Sequence, residues 1–161
     1  MGRQFGFVPI FLSEVKLPKD KKEAIKAGVR SELTLLLLHE IPIWPAWSMD
    51  LPTVIKIHQV KGEFGYGEED VIFHPYWEKE KVVMTDSEDV KVSLWKRPEK
   101  MLAVVANLGE ERKARIRIDF HKLNLSPQEI KDYESEETLL LKDGWLNLDL
   151  PRHDFRLIWI K

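Results

Sequence analysis

Two acidic residues stand where this sequence could place acid–base chemistry. Glu14 directly follows the apolar run Phe7–Leu12, and Asp50 follows the segment Trp44–Trp47. At the carboxyl ends of strands in an α/β barrel, two carboxylates can act as a pair in the hydrolysis of a glycosidic bond. Each also has a simpler interpretation, because an acid after a strand is usually a solvated loop residue and Asp50 can cap a following helix. We therefore assign no catalytic residue and keep Glu14 and Asp50 as candidates only.

Four aromatic side chains form the second candidate set, Trp44, Trp47, Tyr76 and Trp77. Their flat apolar faces could bind the C–H faces of sugar rings as a substrate-binding platform. Tryptophan is also the largest core side chain, so packing in a core or an interface is the more common use. Exposure of the indole rings would separate the two hypotheses.

Other motifs have structural explanations. His39-Glu40 resembles an acid–base pair, but at the end of a helix the histidine faces the helix dipole favourably and the glutamate is simply exposed. The five histidines lack the spacing of metal ligands, and the sequence contains no cysteine. We expect neither a metal site nor a cofactor.

The composition narrows the class of protein. The 161 residues carry a formal net charge of −2, so neither nucleic acid nor a membrane is an expected partner. No signal peptide is visible at the start, which favours a cytoplasmic protein unless the chain is a fragment. Abundant Lys and Glu, together with few Asn and Gln residues, are typical of thermophile proteins.

The first part of the chain has the order of an α/β unit. Phe5–Leu12 is an apolar strand, and a helix is predicted from about Lys21 to His39, apolar all round at its leucine-rich end. The extended, proline-rich segment 41–47 follows, and then a second helix that begins at Asp50 and ends at Gly62.

The second part changes to the two-residue period of strands. Short alternating segments recur from about Val82 to Lys161, with a turn near Asp143-Gly144. The predicted fold class is α+β. A partial α/β segment from the end of a barrel, with two helices (1–78), precedes an antiparallel β-sandwich (79–161).

The first part cannot bury its own apolar surface. A single buried strand and two helices leave the leucine-rich helix end without cover, which soluble monomers rarely tolerate. The sandwich, a second copy of the chain, or a chain with the remaining barrel must supply that cover. We expect a dimer or higher oligomer, or such a partner.

Several short motifs resemble one family. They are F-x-x-Y-W around Phe73 to Trp77, V-S-L-W-K-R-P at Val92–Pro98, V-A-N-L at Val105–Leu108 and R-x-D-F-R-L at Arg152–Leu157. In order and spacing, the chain from about Arg30 onward is similar to the C-terminal end of glycoside-hydrolase-like proteins related to family 123. In these proteins a catalytic TIM barrel is followed by a small β-sandwich.

The resemblance implies a non-catalytic, accessory region whose sandwich covers apolar barrel surface. The first five or six barrel units of such a protein are absent, so no activity is expected from this chain alone. Two alternatives stay open. The chain could be a carbohydrate-binding module, or one subunit of a split glycosidase that a partner chain completes.

Overall fold

The computed structural model describes residues 10, 18, 20–44 and 49–161. Within these ranges the chain forms two helices and then eight strands. They are α1 (Lys22–Leu38), α2 (Leu51–Phe64), β1 (Ile72–His74), β2 (Val83–Thr85), β3 (Val90–Lys96), β4 (Met101–Asn107), β5 (Arg112–Ile118), β6 (Ile130–Asp132), β7 (Leu146–Leu150) and β8 (Phe155–Ile160). The strands form two antiparallel sheets, in the orders β1-β3-β4-β8-β6 and β2-β5-β7. The predicted α+β class with an antiparallel sandwich is confirmed.

The burial of each strand follows its sequence pattern. In β5 and β7, buried and exposed residues alternate, since one face meets the other sheet and the other meets solvent. All seven residues of β4 are buried. This central strand pairs with β3 on one side and β8 on the other, so both of its faces need cover.

The helices cover one face of the five-stranded sheet, and the three-stranded sheet covers the other. On one face of the five-stranded sheet, residues of α1 and α2 share a core with Trp95, Leu102 and Val104. On the other face, Val92, Ala103 and Val105 pack against the three-stranded sheet. The sandwich therefore buries part of the helical layer, rather than standing apart from it.

The sequence predicts that the leucine-rich end of α1 needs cover from outside the first part of the chain. Leu33 and the run Leu36–Leu38 are buried against the sheet, whereas Leu35 is 50% exposed. Of the alternatives considered, cover by the sandwich is the one seen for this helix end. The predicted strand Phe5–Leu12 lies almost entirely outside the described residues, so the source of its cover stays a prediction.

The two helices run parallel. Midway along them, Arg30 of α1 and Lys56 of α2 both bind Glu134. At the carboxyl ends, Glu40 beyond α1 interacts with Lys61 in the last turn of α2. The two helices therefore have the mutual orientation of consecutive helices in an α/β unit.

The second helix is longer than predicted. It continues past Gly62 to Phe64 and ends at Gly65, which has a φ of 84°. Gly62 has helical neighbours and open space around its α-carbon. The left-handed conformation that ends a helix is needed at Gly65, so the prediction of Gly62 as the stop was wrong by three residues.

Arg30 is the main polar link between α1 and the sheet. Its guanidinium donates to Glu134 at 2.8 and 2.9 Å, to Asp154 at 2.7 Å and to the carbonyl of Phe155 at 3.0 Å. The same group lies 4.4 Å from the centre of the Phe155 ring. Planar, bidentate binding of this kind requires arginine.

We expect Arg30→Met to lower the free energy of unfolding by about 2–4 kcal/mol, because it leaves two partly buried carboxylates without their cation. Urea unfolding at neutral pH, followed by tryptophan fluorescence, measures this. The matched control is Arg152→Met, whose partner is Glu110 and whose side chain is 61% exposed; it should cost less than about 0.5 kcal/mol. Equal losses for the two variants would contradict the assignment.

Candidate functional site

Asp50 lies at the amino end of α2, in the cap position. Its carboxylate accepts a hydrogen bond from the Thr53 hydroxyl at 2.6 Å, and it makes no side-chain bond to the helix backbone. The expected capping bond is therefore replaced by a bond to the Thr53 side chain. Asp50 is at the expected place, but not in the expected cap geometry.

A cleft of about 500 Å³ opens beside Asp50. The amino ends of both helices meet there, and the rest of its lining consists of Lys22, Glu23, Ile25, Lys26 and Met49. In an α/β barrel, the helices begin on the side where the strands end, and the chemistry of a barrel enzyme takes place on that side. The second candidate carboxylate, Glu14, lies outside the described residues, so an acid pair of Glu14 and Asp50 stays a prediction.

An aromatic cluster lies at the opposite end of the helical layer. It consists of His39, Tyr66, Phe73, Tyr76, Trp77 and Trp95. Ring centres are separated by 5.9 Å for Tyr66–Trp95, 5.5 Å for Phe73–Trp95, 6.4 Å for Phe73–Trp77 and 4.9 Å for Tyr76–Trp77. The cluster joins the end of α1 to β1 and β3. It lies far from Asp50, because each helix separates its two ends by about 1.5 Å per residue.

The predicted stacking residues fall into three situations. Tyr76 and Trp77 are neighbours in the aromatic cluster; Trp77 is 42% exposed and stacks on His39 at 5.2 Å. Trp44 lies in the connection after α1 and is 45% exposed. Trp47 is outside the described residues. The structure thus brings Tyr76 and Trp77 together, and ring packing accounts for part of their surface.

The prediction that Glu40 is simply exposed was wrong. Glu40 is partly buried, and its carboxylate accepts a hydrogen bond from the Trp95 indole at 2.8 Å. A φ of 58° at Glu40 turns the chain back towards the sheet. His39 does face the helix end as predicted, since its Nδ1 lies 2.8 Å from the carbonyl oxygen of Leu35.

Burial around Glu40 shifts two neighbouring pKa values. Burial lowers the pKa of Lys61 to about 8, although the negative charge of Glu40 opposes the shift. Burial, followed by the charge and hydrogen bond of Glu40, raises the pKa of Tyr66 to about 12. The Lys61 amine lies over the rings of Tyr66 and Trp95, at 3.8 and 4.9 Å from their centres. Aromatic faces and one carboxylate therefore hold this cation in place.

The described residues contain no group of three or more His, Asp or Glu side chains placed to hold a metal ion. Neither helix in this part of the chain combines the length and apolar character needed to cross a bilayer.

Comparison with known families gives the fold a context. Residues 53–139, from α2 to the strand region after β6, match the family described as glycoside hydrolase 123, C-terminal domain. The chain belongs to this family. The resemblance seen in the short motifs is thus confirmed, and the protein is a glycoside hydrolase-related C-terminal domain.

One solved structure shares the fold, and a second is similar over a smaller part of the chain. A GH27 β-L-arabinopyranosidase from Geobacillus stearothermophilus, solved with arabinose, is similar over 91% of this chain and 31% of its own, with a TM-score of 0.52 and 14% identity. A GH42 β-galactosidase from G. stearothermophilus covers 66% of this chain and 12% of its own, with a TM-score of 0.34 and 14% identity. No curated protein matches the sequence. This chain spans about a third of the length of the arabinopyranosidase.

The pKa of Lys61 predicts a rise in stability at alkaline pH. The ordinary lysine value is 10.5, so between about pH 8 and 10.5 the unfolded chain binds more protons than the folded protein. The free energy of unfolding should therefore increase across this window, by about 1–3 kcal/mol. Tyr66 should reverse the trend between about pH 10 and 12, because its folded form keeps its proton longer.

Urea unfolding midpoints measured across this pH range test the prediction. Lys61→Met should remove the rise between pH 8 and 10, whereas Lys113→Met, at a fully solvated lysine, should leave it unchanged. The same slope in wild type and Lys61→Met would show that Lys61 does not control it.

Proposed function

We propose that the chain is a non-catalytic, accessory region of a glycoside-hydrolase-like protein, and that its helical layer docks against the catalytic barrel. The observation that supports the proposal is that the two faces of the helical layer differ in their exposure to solvent. Their inner face is covered by the five-stranded sheet, and their outer face keeps large apolar side chains in solvent.

We use the name outer apolar face for the exposed large apolar residues of the helical part, which are Leu35 on α1, Leu51 and Ile55 on α2, and Trp44 and Met49 between the two helices. Leu35 is 50% exposed, Leu51 is 41% exposed and Ile55 is 43% exposed. Scattered apolar residues on a surface need no explanation, but several on two adjacent helices are typical of an interface. A covering partner would remove them from water.

Two further features support a barrel as the partner. The helices are parallel, with both amino ends on the same side, which is the arrangement of consecutive helices in an α/β barrel. The family is a C-terminal domain of glycoside hydrolases, so a catalytic part belongs with it. On this proposal α1 and α2 complete the barrel, and the sandwich covers them from outside.

The chain alone should not hydrolyse 4-nitrophenyl glycosides above the buffer rate, because a sugar between Glu14 and Asp50 would lack the rest of the barrel to hold it. Colorimetric assays over a panel of α- and β-glycosides measure this. Glu14→Gln and Asp50→Asn are the controls and should give the same background. Turnover that either variant abolishes would overturn the non-catalytic assignment.

Replacement of the outer apolar face should prevent docking. We expect the tagged wild-type chain to retain a glycosidase barrel from its source cells, identified by mass spectrometry, and Leu35→Glu/Leu51→Lys/Ile55→Glu to lose it, because buried charges oppose docking. Met84→Glu/Leu140→Glu, at exposed apolar positions of the sandwich, is the matched control.

Sedimentation velocity of the chain alone completes this test. The wild-type chain could instead associate with itself through the same three residues and retain no barrel. That result would identify a second copy of the chain, and not a barrel, as the partner. A monomer that retains nothing would contradict docking by this face.

A further inference from the structure

The edge of β3 is only half covered. β1 pairs with its second half, in the register Ile72↔Lys96 to His74↔Leu94, and the chain then turns away at Pro75. Among the described residues, no strand lies beside the first half of β3 on that side.

The register determines which backbone groups point out of this open edge. The Asn107 amide donates to Asp154, towards β8, so the opposed pair Val90↔Asn107 shares no hydrogen bond. Val90 accordingly turns its amide and carbonyl outward, where they bind the Ser87 carbonyl and the Thr85 hydroxyl, each at 3.2 Å. Val92 is two residues on and points the same way. No described residue forms a hydrogen bond to its outward amide and carbonyl.

A groove of about 510 Å³ runs along this edge. Tyr76 and Trp145 contribute aromatic walls, and Val92 lies in its lining. Lys81, Glu88 and Lys91 supply charged groups around it. The Lys91 amine lies 6.0 Å from the centre of the Tyr76 ring.

We propose that this groove binds a sugar ring of a carbohydrate. A sugar hydroxyl both donates and accepts hydrogen bonds, which matches the adjacent amide and carbonyl of Val92. The C–H face of the ring suits Tyr76 or Trp145, and Glu88 and Lys91 suit the remaining hydroxyls. The site differs from the exposed indoles of Trp44 and Trp77, and it uses a surface distinct from the docking face.

The number of free backbone groups favours a sugar over an added peptide strand. Strand addition needs a row of outward amides and carbonyls. In the open half of β3, Val90 has already used its pair within the chain, so Val92 offers a single donor and acceptor. A compact ligand can use one such pair, whereas a strand would leave its next groups unsatisfied.

Titration of the ¹⁵N-labelled full chain with glucose, galactose, arabinose and cellotetraose tests the proposal. We expect the Val92 amide and the Trp145 indole to shift together and to saturate in the millimolar range with at least one sugar. Trp145→Ala, at a partly exposed position, should weaken binding roughly fivefold to tenfold. Trp44→Ala should leave it unchanged, and Tyr76→Leu should weaken it if the variant folds.

Three results would overturn the proposal. The first is no saturable shift at Val92 with any of these sugars. The second is sugar binding that Trp145→Ala leaves intact and Trp44→Ala removes, which would move the site to the exposed indoles. The third is an extended peptide that shifts Val92 where the sugars do not, which would assign the edge to strand addition. None of these results bears on docking through α1 and α2.

Discussion

The cover of the central strand β4 on both faces is the constraint from which the rest of the structure follows. Its seven residues are all buried, and it lies between β3 and β8, which are themselves mostly buried. A three-stranded sheet alone can cover one face only. The helices must therefore lie on the other face, where they share a core with the five-stranded sheet. This packing also explains why the exposed apolar side chains of the helices lie away from the five-stranded sheet.

Polar groups inside this packing fix how the layers meet. Ser93 on β3 is buried, donates to the carbonyl of Leu38 at 2.8 Å and accepts from the amide of Tyr76 at 3.1 Å, so it ties the end of α1 to the sheet. Asn107 is also buried, and its side-chain amide donates to the carbonyls of Glu110 and Pro151. Ser93 thus pairs a buried carbonyl at the end of α1, and Asn107 pairs the carbonyls of two turns beside the core. Hydrophobic burial supplies the attraction between layers, and these groups select one alignment.

The two-residue alternation of apolar and polar residues, together with continuous apolar runs, predicted most of the strands. This works because the polarity of each side chain depends on whether its face of the sheet is buried or exposed. β3, β4, β5, β7 and β8 lie where alternation or continuous apolar runs placed them. The sequence predicts no strand at the three residues of β1, because three residues cannot establish a period. The role of Glu40 was missed for a different reason. Its partner Trp95 is 55 residues away, and only the packing of α1 on the sheet brings the two together. For the same reason, the candidate site residues lie at opposite ends of the helices. Asp50 is at the amino ends and Tyr76 is near the carboxyl ends, although they are only 26 positions apart in the sequence.

The two proposed surfaces have opposite requirements, and this chain meets both. Docking to a barrel needs a dry, apolar face, which the outer sides of α1 and α2 provide. Binding a sugar needs a wet groove with donors, acceptors and aromatic faces, which the open edge of β3 provides. Tyr76 lies between the groove and the core beneath the helices, since it packs against that core and also lines the groove. A domain fixed to a catalytic barrel by its helices would keep this groove open, because no residue of the outer apolar face lines it. The groove could then hold a carbohydrate near the enzyme without occupying the site of hydrolysis.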